Sequence, residues 1–312
     1  MRTILFYRDF ARFTGGHLKV WHYFKHVQNS DRYTPEIVFS ADSIWDESNL
    51  WHVPGGIRRT SFEGLKPDVV FVGGLDWQAV EPLLEAEPDI PVINLVQSLF
   101  HAKPDHLRFQ YLKRRALRIC VSEQVRDAIV ATGIVNGPVY VIPNGMDRNE
   151  LPSALQEADK DIDLLIAAVK HPGMGMRLSR ALQQSGLRIQ LLSERLPRAD
   201  FYAAIRRAHT TVFLPQREEG FYFPALEGMA LGTLVICPDC RGNRAYCVPE
   251  VNCLRPEYNY EAILSAVHSA IRLDRVRLAA LHAAAAATVI NHDLMEERSA
   301  FLRLLPELES EY

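Results

Sequence analysis

The chain lacks any apolar stretch approaching the ~20 residues that a bilayer-spanning helix requires. Its opening run, from Met1 through Tyr7 to Arg8 and Asp9, meets charge too early to hold a secretory hydrophobic region. A cytoplasmic protein is therefore expected, at most one that lies peripherally on the cytoplasmic membrane face. Net charge is also small: 35 Lys and Arg against 38 Asp and Glu leave −3. The broad basic face of a general nucleic-acid binder is excluded. Cysteine is scarce, with five in 312 residues, and without a leader these read as free thiols rather than a disulfide framework. Four of them cluster as Cys237, Cys240, Cys247 and Cys253. A zinc site is conceivable there, but the second pair lacks the close spacing such sites use. Cys237 continues the apolar run Leu234-Val235-Ile236, where a thiol packs as a small hydrophobe. His22 and His26 can share one helix face, yet no third ligand is near them in sequence. No metal site is expected.

What the chain does have is apolar content of 48%, ample for two cores, and a length comfortable for two domains. Short β-like runs alternate with helical stretches, the pattern of parallel sheets covered by helices. Strands are expected at 3–7, 36–40, 68–72, 92–96, 118–122 and 139–142, with helices at 16–27, 77–85 and 106–115 among them. A polar, acidic linker at 146–161 precedes a second set of strands at 163–168, 188–192, 211–214 and 234–237. Helices at 260–273, 275–290 and 292–305 complete the chain. The fold class is α/β, with two Rossmann-like domains facing across a cleft. The expected bounds are 1–150 for the N-terminal domain, 151–290 for the C-terminal domain and 291–312 for a final helix segment.

The most informative stretch is Glu218-Glu219-Gly220-Phe221-Tyr222-Phe223-Pro224-Ala225-Leu226-Glu227-Gly228-Met229-Ala230-Leu231-Gly232. Pro224 fits the first position of a helix, where its missing N–H costs nothing and its φ is already helical. Glu227 then falls in the first turn and Glu219 in the loop before it. An apolar strand, a glycine-containing loop and a helix N-terminus make an anion site. Flanking carboxylates suit a ligand that carries hydroxyls as well as phosphate.

This segment resembles the Glu-Gly-Phe-x-x-Pro-x-Leu-Glu-x-Met-Ala-x-Gly signature of the retaining glycosyltransferases of family 4, which have the GT-B fold. The resemblance implies that Glu219 binds hydroxyls of a donor sugar and Glu227 the ribose of its nucleotide. Gly220, Phe221, Tyr222, Phe223 and Leu226 are then donor-binding neighbours, with Tyr222 standing where the family often has a second glycine. Weaker likenesses extend along the chain. The run from Val139 to Asp147, containing Pro143-Asn144-Gly145, resembles the end of the family's first domain. Ile119-Cys120-Val121-Ser122 resembles its strand ending in Val-Ser, and Asn252-Cys253-Leu254 its Asn-Gly-Leu. The stretch between Leu192 and Phe201 is shorter than usual. In the GT-B fold the last helix crosses back to the first domain, and 292–305 is the candidate.

The same resemblance assigns further roles. Glycosyl transfer must stabilise charge on a leaving diphosphate with preorganised cations and N–H groups. Lys170, after the strand at 163–168, corresponds to the family's first basic residue. Its second base is in register with Met176, and Arg177 is the nearest cation. Gly15 and Gly16 lie before the first helix, where glycines permit close backbone approach to phosphate or sugar. Gln97 stands where many relatives carry a histidine; it can hydrogen-bond the sugar but cannot carry a proton charge. His101 is the nearest histidine and a less favoured substitute. The catalytic candidates are thus Glu219, Lys170 and Gln97.

Retention of configuration without a metal is implied, through a same-face displacement, and no Asp-x-Asp motif stands in the plausible site. No cofactor is expected: the nucleotide sugar, UDP- or GDP-linked, is a substrate. The acceptor would be a carbohydrate, a lipid-linked molecule or a small molecule. Over 106–118, Arg108, Lys113, Arg114, Arg115 and Arg118 interleave with Leu107, Tyr111 and Leu112. A basic amphipathic helix there could dock on anionic lipid, although a solvated helix face is the simpler reading. A different class also stays open, a GT-B-like protein that binds a nucleotide sugar without transferring it. A nucleotide-sugar epimerase fits the glutamate motif less well.

Overall fold

The computed structural model describes residues 1–308, so the last four positions of the expected 291–312 segment lie outside the described residues. The chain forms two units, one made of Met1–Asn144 and the chain from Met295 onward, the other of Gly145–Leu294.

The first unit is built on β1 (Arg2–Arg8), β2 (Tyr33–Phe39), β3 (Val69–Gly73), β4 (Val92–Val96), β5 (Leu117–Cys120) and β6 (Val139–Val141). All pairings are parallel, in the order β2-β1-β3-β4-β5-β6. β3 and β4 are buried along their whole length, as strands covered on both faces must be. The intervening helices are α1 (Gly15–Gln28), α2 (Asp76–Ala86) and α3 (Glu123–Val130). Thr14 caps α1 by accepting the His17 N–H, and Ser122 caps α3 by accepting that of Val125. Because the chain runs from β1 to β2 on one side and then to β3 on the other, the strand order reverses between β1 and β3. In open parallel sheets the crevice beyond the carboxyl ends of the strands at such a reversal is where ligands bind.

The second unit repeats this logic with β7 (Ile162–Ala167), β8 (Ile189–Leu192), β9 (Ala208–Phe213) and β10 (Leu234–Ile236), parallel in the order β10-β9-β7-β8. Its helices are α4 (Pro172–Ala181), α5 (Arg198–Arg206), α6 (Phe223–Ala230), α7 (Tyr260–Ile271) and α8 (Arg275–Ile290). The reversal here lies between β7 and β9. Leu164, Ile166, Val212 and Ile236 from the strands, and Leu214 just beyond β9, pack with Leu178, Ile263 and Val267 from the helices as the core of one face.

The final helix, α9 (Leu294–Leu304), packs in the first unit. Phe301 stands edge-on to Tyr23 of α1 with ring centres 4.8 Å apart. Glu297 is paired with Lys19, and its other oxygen lies 3.1 Å from His26 Nε2; all three side chains are buried. Burial alone would raise the Glu297 carboxyl, but Lys19 and His26 outweigh it and hold it below the ordinary value. His22, with Nδ1 3.0 Å from Lys19 Nζ, belongs to the same cluster. The two histidines therefore face a buried ion pair. All five cysteines are buried free thiols.

One expected element does not form. Over 106–118 there is no α-helix; a short 3-10 turn, Phe109–Lys113, leads into β5. Tyr111 and Leu112 point into the core, and Arg118 is fully buried. Its guanidinium donates to the carbonyls of Tyr111 and Leu112 at 2.9 Å, Arg114 at 2.6 Å, Ala116 at 3.0 Å and Asn136 at 2.5 Å. The cation that reads as surface charge gathers backbone acceptors that a short turn leaves unpaired. The basic helical face on which lipid docking depended is therefore absent.

Candidate active site

At the β7–β9 reversal two loops converge. After β7 the chain turns at Ala168-Val169-Lys170 and enters α4 through Pro172. Gly175 lets α4 lie against the sheet, since a Cβ there would come within 2.3 Å of the Ala168 Cβ. After β9 the loop 215–222 carries Glu219, and it is held from behind. Gly242 abuts the Glu219 backbone so closely that a Cβ would meet its carbonyl oxygen at 2.8 Å. The Tyr222 N–H donates to the Gly242 carbonyl at 3.2 Å, and the Tyr246 hydroxyl donates to that of Tyr222.

This geometry brings Lys170 and Glu219 into direct contact as an ion pair, through Oε1 of the carboxylate, with side chains 35% and 17% exposed. The same oxygen accepts the Gln216 N–H at 3.3 Å. Tyr222 lies buried with Lys170 Nζ 5.2 Å from its ring centre. It supports the lysine from below. Phe221 and Phe223 are buried with their rings tilted to one another and ring centres 5.0 Å apart, Gly220 is buried within the loop, and Leu226 is completely enclosed. Arg177 stands elsewhere: its guanidinium stacks 3.6 Å from the Tyr260 ring centre and pairs with Glu261, on the outer face shared by α4 and α7.

α6 begins at Phe223, one residue before Pro224, so Glu227 falls past the first turn. Its side chain is buried and accepts the Tyr202 hydroxyl at 2.6 Å on Oε1. Tyr202 in turn accepts Arg198 Nε–H at 2.6 Å, and Arg198 reaches Glu150 at 3.1 Å. A guanidinium can only donate, so the tyrosine proton is directed to Glu227. Burial raises the Glu227 carboxyl above its ordinary value, while Tyr202 and Arg198 oppose that shift. Sequence reasoning missed Tyr202 and Arg198, because a tyrosine in a helix carries no motif. It also missed Arg217, which stacks on Tyr258 at 4.6 Å and donates to the Tyr258 carbonyl at 2.5 Å on the flank of the loop.

In the first unit, Gly15 and Gly16 open α1, and the Gln97 amide at the end of β4 donates to the Gly16 carbonyl at 3.4 Å. At the end of β1, Arg8 pairs with Asp76, whose other oxygen accepts the Gly73 N–H at 2.8 Å. His101 is buried, with Nδ1 3.0 Å from the Ser98 carbonyl. Burial pushes its pKa down to about 3, so it stays neutral. Among the described residues no three His, Cys, Asp or Glu side chains converge as a metal-ligand set, and no helix is long and apolar enough to cross a membrane.

No family model and no curated protein matches the sequence. Solved structures match its fold. Sucrose-phosphate synthase from Thermosynechococcus elongatus gives a TM-score of 0.78 at 14% identity, covering 100% of both chains. HepE from Anabaena, solved in complex with UDP and glucose, gives 0.70 at 14% identity over 98% of this chain and 100% of that one. The lipopolysaccharide outer core galactosyltransferase WaaB gives 0.69 at 14% identity, over 98% and 99%. The α/β architecture, with parallel sheets of six and four strands, is that of the GT-B glycosyltransferases.

Proposed function

We propose that this chain is a retaining glycosyltransferase of the family 4 type. It would transfer a sugar from a UDP- or GDP-linked donor to an acceptor hydroxyl without a metal ion, in the making of a glycan or glycoconjugate. The observation that carries the reading is the Lys170–Glu219 pair at the reversal between β7 and β9, with Glu227 eight positions on. The pair is partly open to water, so its partners are exchangeable. A diphosphate takes the ammonium of Lys170, and Glu219, released from it, accepts hydrogen bonds from sugar hydroxyls. Glu227 uses Oε2 for the ribose while Tyr202 holds Oε1. Arg177 would have to leave Tyr260 to reach the phosphates. Gly15, Gly16 and Gln97 are the phosphate- and sugar-facing residues of the first unit.

In the reaction the bond from the anomeric carbon to the phosphate oxygen breaks, and its electron pair stays on the phosphate. The acceptor oxygen bonds to the same face of that carbon, and its proton passes to the leaving phosphate oxygen. Lys170 stabilises the charge as it develops. Gln97 orients and does not carry the proton.

The test is a panel of UDP- and GDP-sugars with mixed acceptors in the presence of a chelator, reading nucleotide release and the product's anomeric configuration. Acceptor-dependent release with retention is expected. Interconversion of the sugar without an acceptor would make the protein an epimerase. The occupied amide of Gln97, with no titratable group beside it on β4, favours a second reading as a nucleotide-sugar-binding partner protein. Tight nucleotide binding without release would establish that one.

A further inference from the structure

Helix α8 lies on the surface of the second unit without the outer face of a surface helix. Leu281, Ala285 and Val289 turn inward and are buried. The opposite face should then be polar, as on α7, where Glu261, Ser265, His268 and Ser269 stand exposed. On α8, beyond Arg275 and Arg277 in the first turn, every exposed residue is apolar. Val276 and Ile290 stand near the two ends, 82% and 57% exposed. Between them Ala279, Ala280, Ala283, Ala286 and Ala287 are exposed as well. No Asp, Glu, Lys or Arg occurs from Leu278 to His292. A helix that is apolar on every side belongs in an interior, so this outer face calls for a cover.

The order of residues on that face says what covers it. Ala283 stands seven positions after Val276 and seven before Ile290. Ala279 and Ala280 precede it by four and three, and Ala286 and Ala287 follow it by three and four. The pattern is the same read from either end. Two such helices laid antiparallel about a two-fold axis at Ala283 set Val276 of each copy against Ile290 of the other. Alanine meets alanine between them, which lets the axes approach to about 8 Å. A contact of one patch with itself requires this self-complementarity, and a lipid surface or an unrelated partner does not. Charge at the helix ends agrees. Arg275 and Arg277 occupy the amino-terminal turn, where the helix dipole disfavours cations. Arg277 is drawn off to Glu250, whereas Arg275 is exposed and has no ion pair among the described residues. In the antiparallel pair Arg275 reaches the carboxyl end of the other helix, where the dipole favours a cation. Asp293, 3.7 Å from Arg148 in its own chain, lies just beyond that end.

We propose that the chain pairs with a second copy of itself through α8, antiparallel and centred on Ala283. The stripe is about 21 Å long, short of a standard interface, so the dimer is reversible, with a dissociation constant on the order of 1–100 μM. Sedimentation equilibrium of the full chain across that range reads it. Ala283→Glu sets like charges against each other at the axis and should weaken pairing at least about a hundredfold. Glutamate is a good helix former at an exposed position, and an unchanged melting temperature separates lost pairing from lost folding. Val276→Glu and Ile290→Lys, made singly, should each weaken pairing about tenfold or more. Combined in one chain they lie fourteen positions apart, out of each other's reach. The double variant should nevertheless return to within about threefold of the wild type, because each glutamate meets the lysine of the other copy. A chain that stays monomeric at the top of the range overturns the proposal. So does a dimer indifferent to Ala283→Glu, or a double variant no better than the single ones. A monomer that floats with phosphatidylcholine vesicles, and is released from them by Ala283→Glu, would give the face to lipid and overturn it as well. No residue of the stripe belongs to the candidate active site, so pairing and sugar transfer can fail separately.

Discussion

Two of the lysine–glutamate pairs in this molecule differ in one respect that decides their work. Lys19 and Glu297 are completely buried, with His26 as a further partner. Lys170 and Glu219 are 35% and 17% exposed, at the open edge of a sheet. A buried pair cannot separate without leaving a charge stranded in apolar surroundings. A half-exposed pair can exchange partners at small cost, because water and ligand compete for both groups. The first joins the last helix to the first; the second is suited to open when an anion arrives.

The largest expected effect tests the closed pair. Lys19→Met takes the buried ammonium away from Glu297 and should lower unfolding free energy by about 3–5 kcal/mol, read from urea denaturation; a loss under about 1 kcal/mol would erase the contrast. Glu219→Ala tests the open pair. Turnover should fall on the order of 10²–10³ while stability moves by no more than about 1 kcal/mol, and near-wild-type transfer would remove Glu219 from the mechanism.

A pH series sharpens the contrast from the side of burial. His101 titrates at about 3 in the fold against 6.5 in the open chain, so the unfolded state takes the proton first. Its contribution is complete above the unfolded value and drains as pH falls toward the folded one, roughly 2 kcal/mol between pH 6.5 and 5. His101→Asn should flatten that part of the stability–pH curve, and an unchanged slope would contradict the burial argument. The smallest effect concerns Tyr202→Phe. It should raise the donor KM about five- to tenfold, the worth of one hydrogen bond to a carboxylate, with kcat nearly unchanged. A fall in kcat at constant KM would show that Glu227 acts on the reacting sugar instead.

Where apolar runs were bounded by chain-breaking residues, the fold was legible in the sequence. β4 matches its expected span of 92–96 to the residue because Pro91 and Gln97 bracket a run of four apolar residues and Asn94, and α8 matches 275–290 because Asp274 caps an alanine-rich run. The segment 106–118 misled because arginine spacing is silent about where a guanidinium finds acceptors; Arg118 finds them in five carbonyls inside the unit. At the candidate site, the motif pointed to Glu219, and loop position to Lys170. Arg177 was chosen as the cation nearest the register position at Met176, and nearness in sequence does not show that Tyr260 offers its guanidinium a ring to stack on. Tyr202 was invisible because it meets Glu227 across 25 positions, through packing rather than pattern.

The return of α9 to the first unit also sets a timetable for synthesis. Lys19 and Glu297 are 278 positions apart, so a ribosome adding about 5–20 residues per second needs on the order of tens of seconds to deliver the second after the first. Through that interval the nascent first unit holds an ammonium group whose carboxylate does not yet exist. It remains without that closing pair until the final helix emerges. A chain stopped shortly before Glu297 would keep every strand of both sheets and still lack the contact that closes the first unit.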